Sequence, residues 1–313
     1  MAIYITGSLA YDRIMNFPGV FTDSILPEHI HELNVSFFID SLIEQLGGNA
    51  GNIAHTLALL GEKSCVVATA GKDFARYASV FEQRGLGLDG ILRLEDELTA
   101  SAYIMTDRNN NQITGFHAAA MMTPSTYDFP DLDPEADIAL IGPSNPDDMR
   151  RHPQLFKERG VRYIYDPAQQ IPILSKEDLI AGIEGAYILV GNDYEIRMIM
   201  NNTGLDKEAL LAMTGRGIVT TIGEQGSLVS EKDAEDVAIA AVPVSMVVDP
   251  TGAGDAYRAG LIKGLLLKQP LAECARLGST CAAFCIEQNG TQGHDFSLEA
   301  FFQRHAAAFG ESV

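Results

Sequence analysis

Val248-Asp249-Pro250-Thr251-Gly252-Ala253-Gly254-Asp255 is the stretch on which the reading of the chain turns. Upstream, Val244 to Val248 is apolar and rich in β-branched residues, the pattern of a strand. Downstream, Ala256, Tyr257, Gly260, Leu261, Gly264 and Leu265 recur at helical spacing, which predicts a helix from Ala253 to Leu267. Two glycines and an alanine in the intervening turn let backbone N–H groups converge at a helix N-terminus. There they and the helix dipole attract an anion. Asp255 then places a carboxylate beside that site, in the first helical turn. A carboxylate there repels a phosphate, so it needs work to do, such as taking a proton from an attacking hydroxyl. Helix capping is the simpler alternative.

The string Asp249-Pro250-Thr251-Gly252-Ala253-Gly254-Asp255 resembles the C-terminal motif of the ribokinase-like (PfkB) carbohydrate and nucleoside kinases. The resemblance implies that Gly252, Ala253 and Gly254 form the anion hole for the transferring phosphoryl group and that Asp255 is the catalytic base. It also implies a three-layer αβα fold: a mostly parallel sheet flanked by helices, with a small β-sheet lid. On that reading residues 1–11, 47–97 and 118–313 make the α/β core, and residues 12–46 and 98–117 make the lid over the substrate cleft.

Composition is compatible with such a protein. A chain of 313 residues with 46% hydrophobic content can build a sizeable core. The formal charge of −20 argues against nucleic acid or an anionic membrane surface as a partner, because both need basic patches. ATP is not excluded, since helix ends, glycine turns and magnesium handle its phosphates locally. Four cysteines occur without a Cys-x-x-Cys pair. Cys274, Cys281 and Cys285 fall in one apolar helical segment and read as buried packing rather than metal ligands. No secretory segment or bilayer-length apolar run is present, so the expectation is a cytoplasmic protein.

In chain order, Ala2 to Thr6 reads as a strand leading to Gly7-Ser8-Leu9-Ala10-Tyr11-Asp12. Ligands collect at the carboxyl ends of parallel strands, which points to Asp12. The family places an aspartate here to accept from two sugar hydroxyls. Phe17 to Leu46 is irregular, with Pro18, Gly19 and Pro27, but His31 to Phe38 alternates like a half-exposed antiparallel strand. Leu98 to His117 alternates too, and Asp107 to Gln112 forms a turn cluster within it, a hairpin signal. Gly47-Gly48-Asn49-Ala50-Gly51-Asn52 opens a helix that reaches about Leu60 and stops at Gly61. The family's N-terminal motif matches here, and Gly48 and Asn52 are carried over as substrate-binding residues.

From Lys63 onward strands alternate with helices: Ser64 to Ala70, Ile138 to Gly142, Val161 to Tyr165, Tyr187 to Val190 and Gly217 to Ile222 read as strands. The alternation argues for a parallel sheet with helices on both faces. Asp166 follows one of these strands and is a secondary candidate for substrate binding near the site. Asn192 and Glu195 have the spacing of a capping box; the family's Asn-x-x-Glu instead organises magnesium, and a double role fits both. Thr221, Gly223 and Gly226 match the family's nucleotide-contacting loop. Pro270 starts what reads as the last long helix. After it, Asn289 and Gly290 would line the adenine pocket. By the same resemblance Asp249 and Thr251 would help hold a monovalent cation such as K⁺.

Asp12, Gly47 to Asn52, Asn192 to Glu195 and Asp249 to Asp255 occur in family order, and no P-loop, protein-kinase or Rossmann signature competes with them. The segment Asn111 to Met122, with Asp166-Pro167-Ala168-Gln169-Gln170 and Gly254 to Gly260, is similar to the prokaryotic adenosine and nucleoside kinases. Phe116 and His117 can stack on a base or simply pack the lid. The chain departs from that branch at His117-Ala118-Ala119, where an aromatic and Pro-Gly are usual. The expectation is ATP- and Mg²⁺-dependent phosphorylation of a nucleoside, with adenosine first. The alternatives are a ribokinase- or fructokinase-type sugar kinase and a non-catalytic sensor. A homodimer through the lid is the expected assembly.

Overall fold

The computed structural model describes residues 1–25, 31–32 and 34–310. Its strands are β1 (Ile3–Thr6), β2 (Ala10–Asn16), β3 (Ser41–Gly47), β4 (Ser64–Ala70), β5 (Ile91–Arg93), β6 (Ala100–Thr106), β7 (Gln112–His117), β8 (Ile138–Ile141), β9 (Arg162–Tyr165), β10 (Ile188–Asn192), β11 (Gly217–Thr221), β12 (Ser227–Glu231) and β13 (Val237–Ile239). Its α-helices are α1 (Phe21–Ser24), α2 (Asn49–Leu59), α3 (Ala75–Gln83), α4 (Pro146–Arg159), α5 (Lys176–Ile183), α6 (Asp193–Thr203), α7 (Lys207–Met213), α8 (Ala253–Leu266), α9 (Leu271–Ile286) and α10 (Leu298–Phe309).

Nine strands form one sheet in the order β13-β12-β11-β10-β9-β8-β1-β4-β5. It is parallel from β11 to β5 and antiparallel only at β11–β12 and β12–β13. The near-continuous apolar strands follow from burial of both faces. Along β1, Ile3 and Ile5 enter the core shared with α2, α3, α8, α9 and α10, while Tyr4 enters the core shared with α4 to α7. The strand's period of two distributes one short sequence between two cores. This is the expected three-layer αβα architecture, and it brings the carboxyl ends of β1, β8, β9, β10 and β11 to one edge.

The second sheet has the order β3-β2-β6-β7. The β2–β6 pair is parallel and the two outer pairs are antiparallel. Register puts Gln45, Asp12, Ala102 and Phe116 in one cross-strand row and therefore on one face. His117 pairs with Ser101, one residue on, and so faces the opposite side.

Three sequence expectations need correction. Val244 to Val248 is irregular, with bends at Ser245 and Val248, and has no strand partner among the described residues. Its backbone bonds go instead to the Ile286 carbonyl and, at Ser245, to the Glu287 side chain. Its apolar residues serve a cavity wall rather than a sheet, which is why the pattern misleads. The alternating run from His31 to Phe38 is not a strand where described; the lid strand is β3, at Ser41–Gly47. Pro27 and Leu33 lie outside the described residues. The cysteine helix α9 is not the last, because α10 follows and packs Phe301 into the same core. Cys274, Cys281 and Cys285 are buried free thiols.

Candidate active site

The turn from Asp249 to Gly252 is held by its own aspartate. Asp249 Oδ1 accepts from the Thr251 N–H at 2.9 Å, and Oδ2 accepts from the Gly290 N–H at 2.9 Å. Gly252 caps α8 at φ 85°, where a side chain is strained, and a Cβ there would press on Thr291 at 3.0 Å. No side chain caps this helix. Ala253 N–H makes a long 3.3 Å turn bond to Pro250, and the N–H groups of Gly252, Gly254 and Asp255 have no acceptor among the described residues. Unspent donors at a helix N-terminus are what an anion needs.

Asp255 sits in this first turn. Its Oδ2 accepts from Asn52 Nδ2 at 2.8 Å, a contact across 203 residues. Burial pushes its carboxyl up to about 7, with Asn52 and Arg258 pulling it down and Asp166 and Asp12 pushing it further up. Asp12 approaches from β2, and burial with the nearby Asp249 raises it to about 6. Gly48 begins α2 at φ 85°, and a Cβ there would lie 2.6 Å from the Ser8 carbonyl. Only glycine lets this loop run flush against the β1 end.

A cavity of about 690 Å³ runs along the carboxyl edge to Asp255. Gly252, Ala253, Gly254, Asp166, Asn192, Glu195, Thr221, Gly223 and Gly226 line it, so the structure brings these sequence candidates together. Its apolar wall includes Val242, Val244 and Val247 together with Ala282, Ala283 and Ile286. Asn289 and Gly290, expected at the adenine pocket, do not line it. Gly290 turns toward the lid, bonded to Asp249 and pressed on Gln45, where a Cβ would come within 2.2 Å of Oε1.

Asn192 and Glu195 do form a capping box. The Asn192 N–H donates to Glu195 Oε2 and the Glu195 N–H donates to Asn192 Oδ1, both at 2.8 Å. Glu195 Oε1 and Asn192 Nδ2 remain without a hydrogen-bond partner among the described residues, and both side chains belong to the cavity wall. Asp166, expected to meet substrate, spends both oxygens on Arg258, at 2.5 and 2.8 Å. Phe116 shares the row of Asp12 but is 55% exposed on the lid's edge strand and does not line the cavity.

Arg258 was not singled out from the sequence. It also donates to the Gly254 carbonyl at 3.1 Å and lies 4.0 Å from Glu195. Burial works against its charge, but Asp166 more than offsets that and holds its pKa above the ordinary value. Its position four residues after Gly254, one turn along α8, was the available signal. Gln292 was also missed. Its amide reaches both Asn52 and Tyr77.

The model of the pfkB family of carbohydrate kinases matches residues 10–296 of this chain. The chain belongs to that family. It is accordingly a phosphotransferase of the carbohydrate and nucleoside kinase type. A nucleoside kinase of Methanothermobacter thermautotrophicus is 31% identical to it over 97% of this chain and 95% of its own length. The structure of the Burkholderia thailandensis nucleoside kinase in complex with inosine superposes with a TM-score of 0.87 at 34% identity, covering 99% of this chain and 98% of that one. The Methanocaldococcus jannaschii nucleoside kinase, an archaeal member of the ribokinase family, gives 0.86 at 27% identity over 98% and 99%. Among the described residues, no helix is long and apolar enough to cross a membrane.

Proposed function

We propose that this protein transfers the γ-phosphoryl group of ATP to the primary, 5′-type hydroxyl of a nucleoside, with adenosine as the first candidate acceptor. The observation that carries the reading is Asp255, enclosed beside unpaired helix-terminal amides at the end of a nucleotide-sized cavity. Support for a nucleoside rather than a free sugar comes from the relatives: the similar bacterial enzyme was solved with inosine and with ADP-inosine.

On this reading the apolar wall of Val242, Val247 and Ala283 takes the adenine of ATP, and Thr221, Gly223 and Gly226 border its phosphates. The Gly252, Gly254 and Asp255 amides face the charge that grows on the transferring group. Such preorganised donors carry a large share of catalysis. Asp12 accepts from the ribose hydroxyls, with Gly48 permitting close approach. The acceptor hydroxyl gives its proton to Asp255 as its oxygen bonds the γ-phosphorus and the bond from that phosphorus to the β,γ-bridging oxygen breaks, releasing ADP; the base is worth roughly 10²–10⁴-fold. Magnesium supplies charge neutralisation on the phosphates when bound. Glu195 Oε1 would accept from the waters of a hydrated ion, consistent with magnesium's retention of water, and Asn192 Nδ2, a donor, would serve a phosphate oxygen beside it. Asp249 keeps lone pairs beyond its two backbone bonds, enough to share a K⁺ ion with Thr251 carbonyl chemistry nearby. Phe116, on the Asp12 face of the lid, stacks on the nucleobase when the lid closes.

We also read the lid as a pairing surface for a second copy, since Leu42 and Ile113 are 61% and 46% exposed in one row with Met15 and Met105. Light scattering should give the mass of two chains; a monomer at micromolar concentration contradicts this. An ADP-release assay across adenosine, inosine, cytidine, ribose, fructose and fructose 6-phosphate tests the main proposal. Purine nucleosides should give the highest kcat/KM. Preferred turnover of ribose or fructose replaces the reading with a sugar kinase, and binding without ADP release replaces it with a sensor.

A further inference from the structure

A polar chain runs from the end of α3 to the base. Arg84 Nη1 donates to Gln292 Oε1 at 2.8 Å. Gln292 Nε2 donates to Asn52 Oδ1 at 3.0 Å and to the Tyr77 hydroxyl at 2.8 Å. The Tyr77 hydroxyl donates to the Gly47 carbonyl at 2.7 Å, and Asn52 Nδ2 donates to Asp255. The polarity of every link follows from the first. A guanidinium only donates, so the Gln292 atom facing it is the oxygen. Gln292 then presents its nitrogen to Asn52, which must answer with its oxygen and turn its own nitrogen to Asp255.

The loop carrying Gln292 is fastened on both sides. Gly290 N–H is bound by Asp249, and the Thr291 hydroxyl donates to the Leu46 carbonyl at 3.0 Å. His55 Nε2 meets the His294 carbonyl at 2.9 Å, and Thr56 Oγ1 meets His294 Nε2 at 2.9 Å. Burial holds both imidazoles well below their usual range, His55 at about 3 and His294 at about 4, so the clasp is neutral and insensitive to pH near neutrality.

We propose that Gln292 is a positioning residue, which together with Arg84 locks the Asn52 amide in the one orientation that donates to Asp255. The inference rests on Asp255 being the proton acceptor. A donated N–H favours the ionised, proton-accepting carboxylate; a reversed amide would favour the neutral acid. Free to turn, Asn52 would follow the protonation of Asp255 and weaken the base. The other groups facing Asp255 are Asp12 from β2, Asp166 beyond β9, Cys285 from α9 and Arg258 on its own helix. None of them contacts Gln292. Asp249 stands next to Asp12, and Arg84 faces Asp295 and Tyr77 at the far end.

The test is the pH profile of kcat for Gln292→Met and Gln292→Glu, measured on the full chain with ATP and the best acceptor of the panel. Gln292→Met removes the amide without adding charge. Its acid limb should move up by about 1 pH unit, the scale of one hydrogen bond to a charged group. Its kcat should recover toward wild type at pH 9, with KM for ATP unchanged. Gln292→Glu keeps the bond from Arg84 but offers Asn52 only acceptors, which reverses the amide, and its limb should move further. An unmoved limb in Gln292→Met, with kcat unchanged or lowered by the same factor at every pH, overturns the proposal. Asp255→Asn separates the two claims. If it is inactive while the Gln292 limbs stay in place, only the positioning role fails; if it turns over normally, the base assignment fails first.

Discussion

Arg258→Met should be the most damaging substitution outside the reacting groups, and its cost can be worked from geometry. The guanidinium side chain is 7% exposed and Asp166 is 2% exposed, joined through two hydrogen bonds. Removing one member leaves the other's charge buried without compensation, which costs about 3–5 kcal/mol. The bond to the Gly254 carbonyl is lost as well. At roughly 2 °C per kcal/mol for a chain of this size, the melting temperature should fall by about 6–10 °C. Arg258→Met with Asp166→Leu removes both charges and replaces them with apolar volume, so most of that loss should return. Urea unfolding followed by circular dichroism at pH 7.5 reads the wild type, the two single variants Arg258→Met and Asp166→Leu, and the double variant. A single variant within about 1 kcal/mol of wild type, or a double variant that loses the sum of both singles, refutes the claim that these two residues form one buried unit.

Asp255→Asn should be more stable than wild type at pH 8. The folded carboxyl lies near 7, above its unfolded value, so the folded state binds more protons between about pH 4 and 7 and loses stability as pH rises through that window. The neutral amide avoids this, and thermal unfolding should show a gain of roughly 2 kcal/mol at pH 8 that shrinks toward zero at pH 4; an unchanged or lowered midpoint at pH 8 contradicts it. Phe116→Ala should raise the nucleoside KM by about tenfold while leaving KM for ATP unchanged, as one lost aromatic contact implies. Equal KM values for nucleoside in the two proteins would remove Phe116 from the binding site.

What could be read from the sequence follows the range of the interactions involved. Helix α8 and the glycine turn before it are local, and Ala253 to Leu267 was legible nearly to the residue. The strands that collect Asp166, Asn192 and Thr221 were legible because burial on both faces makes them apolar runs. Val244 to Val248 misled because lining an apolar cavity and filling a sheet ask for the same side chains. The short antiparallel strands β12 and β13 went unread, their pairing being set by tertiary contact. Arg258 and Gln292 were missed for a different reason. Each works through a partner far along the chain, Asp166 across 92 residues and Asn52 across 240, and no local pattern encodes such a pairing. Asn52 itself was read as a substrate ligand, while the fold shows it first as the hydrogen-bond partner of Asp255.

The most direct measurement of the central claim is single-site turnover in Asp255→Asn at pH 8, with ATP binding measured on the same sample. The amide preserves the shape of the turn and the neighbouring N–H groups but cannot take a proton. The account predicts retained ATP binding and a kcat lowered about 10²–10⁴-fold. Near-normal kcat with saturating nucleoside would contradict it.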